Sequence, residues 1–140
     1  MLLFVALTSF TGWRTNLNEA RQQAVTQHKY ILLNFSGSDW CLPCMRMHSE
    51  IFEKPVFKEF AEKSLILVNA DFPRQKKNQL SKEQQQQNAL LADRYDTAGV
   101  FPLTVLMDEN GNVIKQWEGY PGISAENFVA AVKSATDVRR

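Results

Sequence analysis

The feature that most narrows the fold is a series of short apolar runs set between helical patterns. Tyr30–Ser36 (YILLNFS) is almost uninterrupted by charge, the mark of a strand buried on both faces. Residues 65–70 (LILVNA) read as a second buried strand and residues 103–108 (LTVLMD) as a third. Glu109-Asn-Gly-Asn112 is a turn of the kind that joins antiparallel strands. A fourth strand is therefore expected over Val113–Glu118, with Ile114 and Gln116 alternating against Val113, Lys115 and Trp117.

Helical spacing fills the intervals. Asn16, with Glu19 three residues on, is a helix-start signature, and Leu17, Ala20, Ala24 and Val25 recur behind it up to about His28. A second helix is expected from near Cys41, carrying Cys44, Met45, Met47, His48, Ile51 and Phe52 until Pro55 interrupts it. Val56, Phe57, Phe60 and Ala61 extend the pattern beyond that break. Residues 73–87 are polar and basic and lead into a helix over 83–95, with Ala89, Leu90 and Leu91 inward. Ser124 is expected to cap a last helix facing inward through Phe128, Val129, Val132 and Ala135. The order is helix–strand–helix–strand–helix–strand–strand–helix without a linker. At 140 residues this predicts one α/β domain, its mixed sheet of four to five strands flanked by helices and ending in a hairpin.

Composition then excludes whole classes of function. Sixteen Lys and Arg against fifteen Asp and Glu leave a net charge of +1, which supplies no bulk attraction to nucleic acid or anionic lipid. Arg74, Lys76 and Lys77 cluster, but in a chain of balanced charge they read as a solvated loop. Residues 1–10 (MLLFVALTSF) are apolar yet far short of a bilayer span. Residues 1–12 are expected to be either the remnant of an export signal or an edge strand, and residues 13–140 the folded domain.

Two cysteines are too few for a disulfide scaffold, and their placement points to chemistry. Trp40-Cys41-Leu42-Pro43-Cys44 follows the first buried strand and opens a helix. Unpaired N–H groups at a helix start favour a thiolate at Cys41, the attacking species in thiol–disulfide exchange. Cys44, one turn on, is placed to attack the mixed disulfide and release the partner. Pro43 costs no helical hydrogen bond in a first turn. Three plainer readings are weaker. Two buried structural cysteines fit the context poorly, zinc needs about four ligands where the chain offers Cys41, Cys44, His48 and a distant His28, and closing so small a loop adds little stability. His48 lies roughly 10 Å along the helix from Cys41 and reads as an ordinary helix residue.

With these residues in view the chain resembles the thioredoxin superfamily. Buried strand, Trp-Cys-x-x-Cys and helix make the first half of the family pattern, and Gly99-Val-Phe-Pro102 before the next strand makes the second. The resemblance implies the thioredoxin fold, a cis-proline at Pro102, and Trp40, Phe101 and Pro102 as substrate-contacting residues. Residues 35–41 (FSGSDWC), 68–74 (VNADFPR) and the Gly119-Tyr120 pair are similar to exported bacterial members. Among these are the C-terminal domain of thiol:disulfide interchange reductases and small periplasmic reductases and isomerases. That likeness implies a thiol:disulfide oxidoreductase outside the cytoplasm, with disulfide-bonded proteins as substrates and a membrane electron-donor protein as partner; without a spare segment for a dimerisation domain, a monomer is expected. Isomerase, oxidase or redox-inactive binding module stand as alternatives. Neither metal nor cofactor is implied, since the cysteine pair itself carries the two electrons.

The chain departs from thioredoxin at several places. Asn34 stands where thioredoxin has a buried Asp that manages the second cysteine's proton. Asn exchanges no proton, so Cys44 must use water or another group; Asp39 is the nearest acid by sequence, and it reads equally well as a loop acid or helix cap. Thr104 follows Leu103 rather than the proline directly, which bears on the substrate groove. The Leu-Pro interior lacks the His that stabilises a thiolate in strong oxidants, so the pair is expected near the reducing end of a scale running from about −270 to about −120 mV.

Overall fold

A computed structural model describes residues 12–137. The expectation for residues 1–12 therefore falls, apart from Gly12, outside the described residues. The elements are β1 (Trp13–Arg14), α1 (Leu17–Gln27), β2 (Tyr30–Ser36), α2 (Leu42–Met47), α3 (Pro55–Ser64), β3 (Leu65–Asp71), α4 (Lys82–Tyr95), β4 (Leu103–Met107), β5 (Val113–Glu118) and α5 (Ala125–Asp137). A π-helical turn, His48–Phe52, extends α2, and a 3-10 turn, Lys76–Asn78, lies between β3 and α4.

Five strands make one sheet in the order β1-β3-β2-β4-β5. β1, β3 and β2 run parallel, while β4 is antiparallel to both β2 and β5. This is the thioredoxin fold, an α/β sheet with helices on both faces. The two-residue β1 was not visible as a pattern; it exists because Trp13 and Arg14 pair with Leu67 and Val68.

Side chains alternate across a strand, so the sheet has two interiors. Ile31, Leu33 and Phe35 of β2 meet α1 through Leu17, Ala20 and Ala24, with Leu91, Ala92 and Tyr95 of α4 beside them. Leu32 and Leu106 on the opposite face meet Met47, Ile51, Phe52, Phe57 and Phe128. Start signals behave as the residues dictate. Asn16 Oδ1 accepts the Glu19 N–H at 3.1 Å, and Ser124 Oγ accepts that of Asn127 at 3.1 Å.

Two inward faces differ from expectation. In α4, Leu90 is 66% exposed and Ala89 is exposed too, while Asn88 is buried because its side chain donates to the Asp71 carbonyl at 3.0 Å. In β5, Ile114 and Trp117 are both half-buried although three residues apart. A bulge beside Leu106 and Met107 shifts the register and breaks strict alternation.

Candidate active site

β2 ends at Ser36, and Gly37 begins the loop that turns the chain into α2. Gly37 organises that loop. Its carbonyl accepts the N–H groups of Trp40 at 3.2 Å and Cys41 at 2.9 Å, and its own N–H donates to Cys44 Sγ at 3.4 Å. Cys41 is the N-cap of α2, and the Cys44 N–H donates to Cys41 Sγ at 3.2 Å. Cys41 and Cys44 are disulfide-bonded, with 5.2 Å between their Cα atoms. Both are buried, while Leu42 (71% exposed) and Met45 (38%) leave an apolar rim beside them.

Trp40 is held from four sides. Its ring lies directly on Gly37, its indole N–H donates to the Phe72 carbonyl at 2.7 Å, its edge meets Phe101 with centroids 5.4 Å apart, and the Arg74 guanidinium sits 3.6 Å from the ring centroid. Phe101 also meets Phe72 at 5.4 Å. Through this aromatic contact the segment around Pro102 lies beside the cysteine loop. The Phe101–Pro102 peptide is cis, and the Pro102 carbonyl accepts the Gly119 N–H at 2.8 Å. Tyr120, next in the chain, donates its hydroxyl to Glu50 and carries Arg46 over its ring at 4.5 Å. That hydrogen bond holds the Glu50 carboxyl below its ordinary value.

Asp39 binds the opposite loop. Its oxygens accept the Arg74 and Gln75 N–H groups, each at 2.9 Å, and the Asn78 amide at 3.0 Å. The Arg74 N–H, first among these, lowers its pKa from 3.8. The loop-acid reading describes what it touches. A lowered carboxylate pKa means the staple is complete above the ordinary value and loosens as pH falls through the lower, folded-state one. We expect the Asp39 carboxyl to titrate below 3.8, with the Arg74 and Gln75 amide shifts following it in an NMR titration. A midpoint at or above 3.8 contradicts the staple.

Beneath the pair, Asn34 joins a row that crosses three strands. Asn34 is in register with Asn69 of β3 and Thr104 of β4. Its amide donates to Asn69 Oδ1 at 3.1 Å, and its Oδ1 accepts the Thr104 hydroxyl at 3.1 Å. Thr104 is thus fully buried within the sheet face, where its hydroxyl supports Asn34. A cavity of about 330 Å³ lies over this row, lined among others by Cys44, Asn34, Asn69, Ser36 and His48. Cys44 therefore faces inward to the sheet, and Cys41, at the cap, does not line that cavity.

Asn69 and Gly37 carry no site expectation from sequence, and Thr104, expected to bear on the substrate groove, is found buried beneath it holding Asn34. Polar side chains inside otherwise apolar strands were the available signal. His28, a zinc candidate by type, ends α1 in the left-handed region with φ 55°. No group of three His, Cys, Asp or Glu among the described residues is placed to hold a metal ion.

Comparison with known proteins agrees with this geometry. A model of the thioredoxin-like domain matches residues 17–136. The disulfide bond reductase DsbH of Chlamydia pneumoniae is 39% identical over 121 residues, covering 86% of this chain and 70% of that protein. A solved DsbH oxidoreductase superposes with a TM-score of 0.78 at 36% identity, over 85% of this chain and 80% of the other. The oxidised C-terminal domain of DsbD from Neisseria meningitidis shares the fold, with a TM-score of 0.55 at 19% identity over 85% and 89% of the two chains. With its strand–Cys-x-x-Cys–helix centre, the chain belongs to the thioredoxin-like family and is a thiol:disulfide oxidoreductase.

Proposed function

We propose that the protein reduces disulfide bonds of client proteins outside the cytoplasm, with Cys41 as nucleophile and Cys44 as resolving thiol. The observation that carries this reading is the asymmetry of the pair. Both sulfurs accept a backbone N–H, but Cys41 Sγ does so as the helix cap, which favours its thiolate, whereas Cys44 lines the cavity over the Asn34 row. The Cys41 thiolate attacks one sulfur of the client disulfide, forming a mixed disulfide and expelling the first client thiolate. Cys44 then attacks the Cys41 sulfur and expels the second. The protein is left oxidised, and a dithiol donor, here a membrane protein, restores it.

The client chain lies across Leu42, Met45 and Trp40, pairing with the backbone of the Phe101–Pro102 segment. The uncharged Leu42-Pro43 interior adds nothing to stabilise the reduced form, which favours donation of electrons. The reductase name carried by the 39%-identical relative points the same way. Disulfide-bonded clients belong to oxidising compartments, and the apolar 1–10 stretch fits export. We read the working unit as a monomer.

Equilibration of the Cys41–Cys44 pair with glutathione tests the direction. A potential near or below about −250 mV is expected. A value of about −120 to −180 mV transfers the assignment to an oxidase or isomerase. Failure to form the bond leaves a binding module.

A further inference from the structure

We propose that His48 takes the proton Cys44 must lose, through water in the cavity the two side chains share. This rests on Cys44 as the resolving thiol. The need for such a group follows from the row beneath the site. Asn34 is bonded to Asn69 and Thr104, and amides and aliphatic hydroxyls do not ionise near neutrality. Asp39 is bonded to the 74–78 loop. Histidine is the side chain that ordinarily changes charge between pH 5 and 8, and His48 is the one titratable neighbour among the described residues that lines the cavity with Cys44.

His48 begins the π-helical turn, and its N–H donates to the Cys44 carbonyl, so the ring stands one turn beyond Cys44. Its Nε2 is 3.1 Å from Glu53 Oε1, and Lys58 Nζ is 2.9 Å from Glu53 Oε2. The Lys58 hydrogen bond, first among its causes, lowers the Glu53 pKa. Nε2 is the ring nitrogen at ion-pair distance from the Glu53 carboxylate, and Nδ1 is the one left to accept a proton by water. A space of about 330 Å³ holds several waters at roughly 30 Å³ each.

The surrounding charges do not compete for this role. Arg46 and Glu50 engage each other and Tyr120. Lys58 of α3 is turned to Glu53, and Arg14 of β1 and Lys58 line a separate cavity with it. β2, β3 and the loop after β2 contribute only Asn34, Asn69 and the hydroxyls of Ser36 and Ser38.

In the step itself the Cys44 proton passes by water to His48 Nδ1. The Cys44 sulfur forms its bond to Cys41, the Cys41–client bond breaks, and the electron pair leaves on the client sulfur. Solvent protonates that thiolate and receives the proton from the imidazolium. His48 is the proton carrier, and Glu53 is a positioning residue that orients its ring.

The test follows release of the first and second thiols from a disulfide-bonded peptide mixed with the reduced protein, from pH 5 to 9. His48→Gln, at a side chain 60% exposed, leaves the core untouched. We expect it to slow the second release roughly tenfold at pH 6–7 while sparing the first, general acid–base help being the part removed. The gap narrows by pH 9, above the ordinary cysteine pKa of about 8.5, and imidazole restores the rate in His48→Ala. Equal second-step profiles in wild type and His48→Gln overturn the proposal and leave the reductase reading intact. Equal slowing of both steps, or no rescue by imidazole, also overturns it. A wild-type protein that releases no second thiol overturns the role of Cys44, and this proposal with it.

Discussion

Cys41→Ser abolishes client reduction, whereas Cys44→Ser halts it one step later with the client still attached. A hydroxyl does not replace a thiolate in disulfide exchange, so turnover with a dithiol donor falls by more than about a thousandfold in Cys41→Ser, as expected when a nucleophile is removed outright. Cys44→Ser keeps the attacking sulfur and loses the one that resolves, so a mixed disulfide on Cys41 accumulates. Intact mass after mixing with a disulfide peptide separates the two variants. An adduct in Cys44→Ser that is absent in Cys41→Ser is the expected pattern; the reverse would exchange the roles. Neither variant is expected to lose the fold. Serine is a favoured N-cap and accepts the Cys44 N–H in place of Cys41 Sγ. At position 44 a hydroxyl likewise accepts the Gly37 N–H now bonded to Cys44 Sγ.

The second large effect is at Gly37, where a single added carbon displaces Trp40. A Cβ there stands 2.2 Å from Trp40 Cε2 and 2.6 Å from its Nε1, well inside van der Waals contact. The half-buried ring is tied by several contacts that a shift would break. Its N–H is bonded to Phe72, Phe101 meets it edge-on, and Arg74 lies over it. Gly37→Ala breaks that set of contacts and costs about 1–3 kcal/mol, lowering Tm by roughly 3–10 °C. Because the Gly37 carbonyl also accepts the Cys41 N–H, the shift reaches the nucleophile. Client kcat/KM is expected to fall roughly tenfold, since small misplacements of a reacting group are costly. Calorimetry and the chemical shift of the Trp40 indole proton are the readouts. An unchanged Tm together with an unshifted indole proton would falsify this account of Gly37.

Much of this architecture is legible along the chain, because its cause is local. The strand boundaries of β2 and β5, the caps at Asn16 and Ser124 and the cysteine pair opening a helix follow from residues within a few positions of one another. α4 shows where that reasoning fails. Its spacing favours Leu90 inward, but Asn88 is the buried residue because the Asp71 carbonyl lies beneath it. The alternation expected in β5 fails at a bulge, and nothing near Trp13 announces a strand until β3 lies alongside it.

What the sequence by itself determined is the class of fold and the chemistry of its centre. Apolar runs between helical spacings require a covered sheet, and Cys-Leu-Pro-Cys at a strand-to-helix junction points to redox sulfur. Only the tertiary structure decided which polar side chains and loops surround that sulfur. Asn34 reaches Asn69 across 35 positions and Thr104 across 70, Asp39 turns to the Arg74 loop, and His48 comes to share a cavity with Cys44. These partners meet through strand register and helix packing, and a hydrogen bond acts only at contact distance.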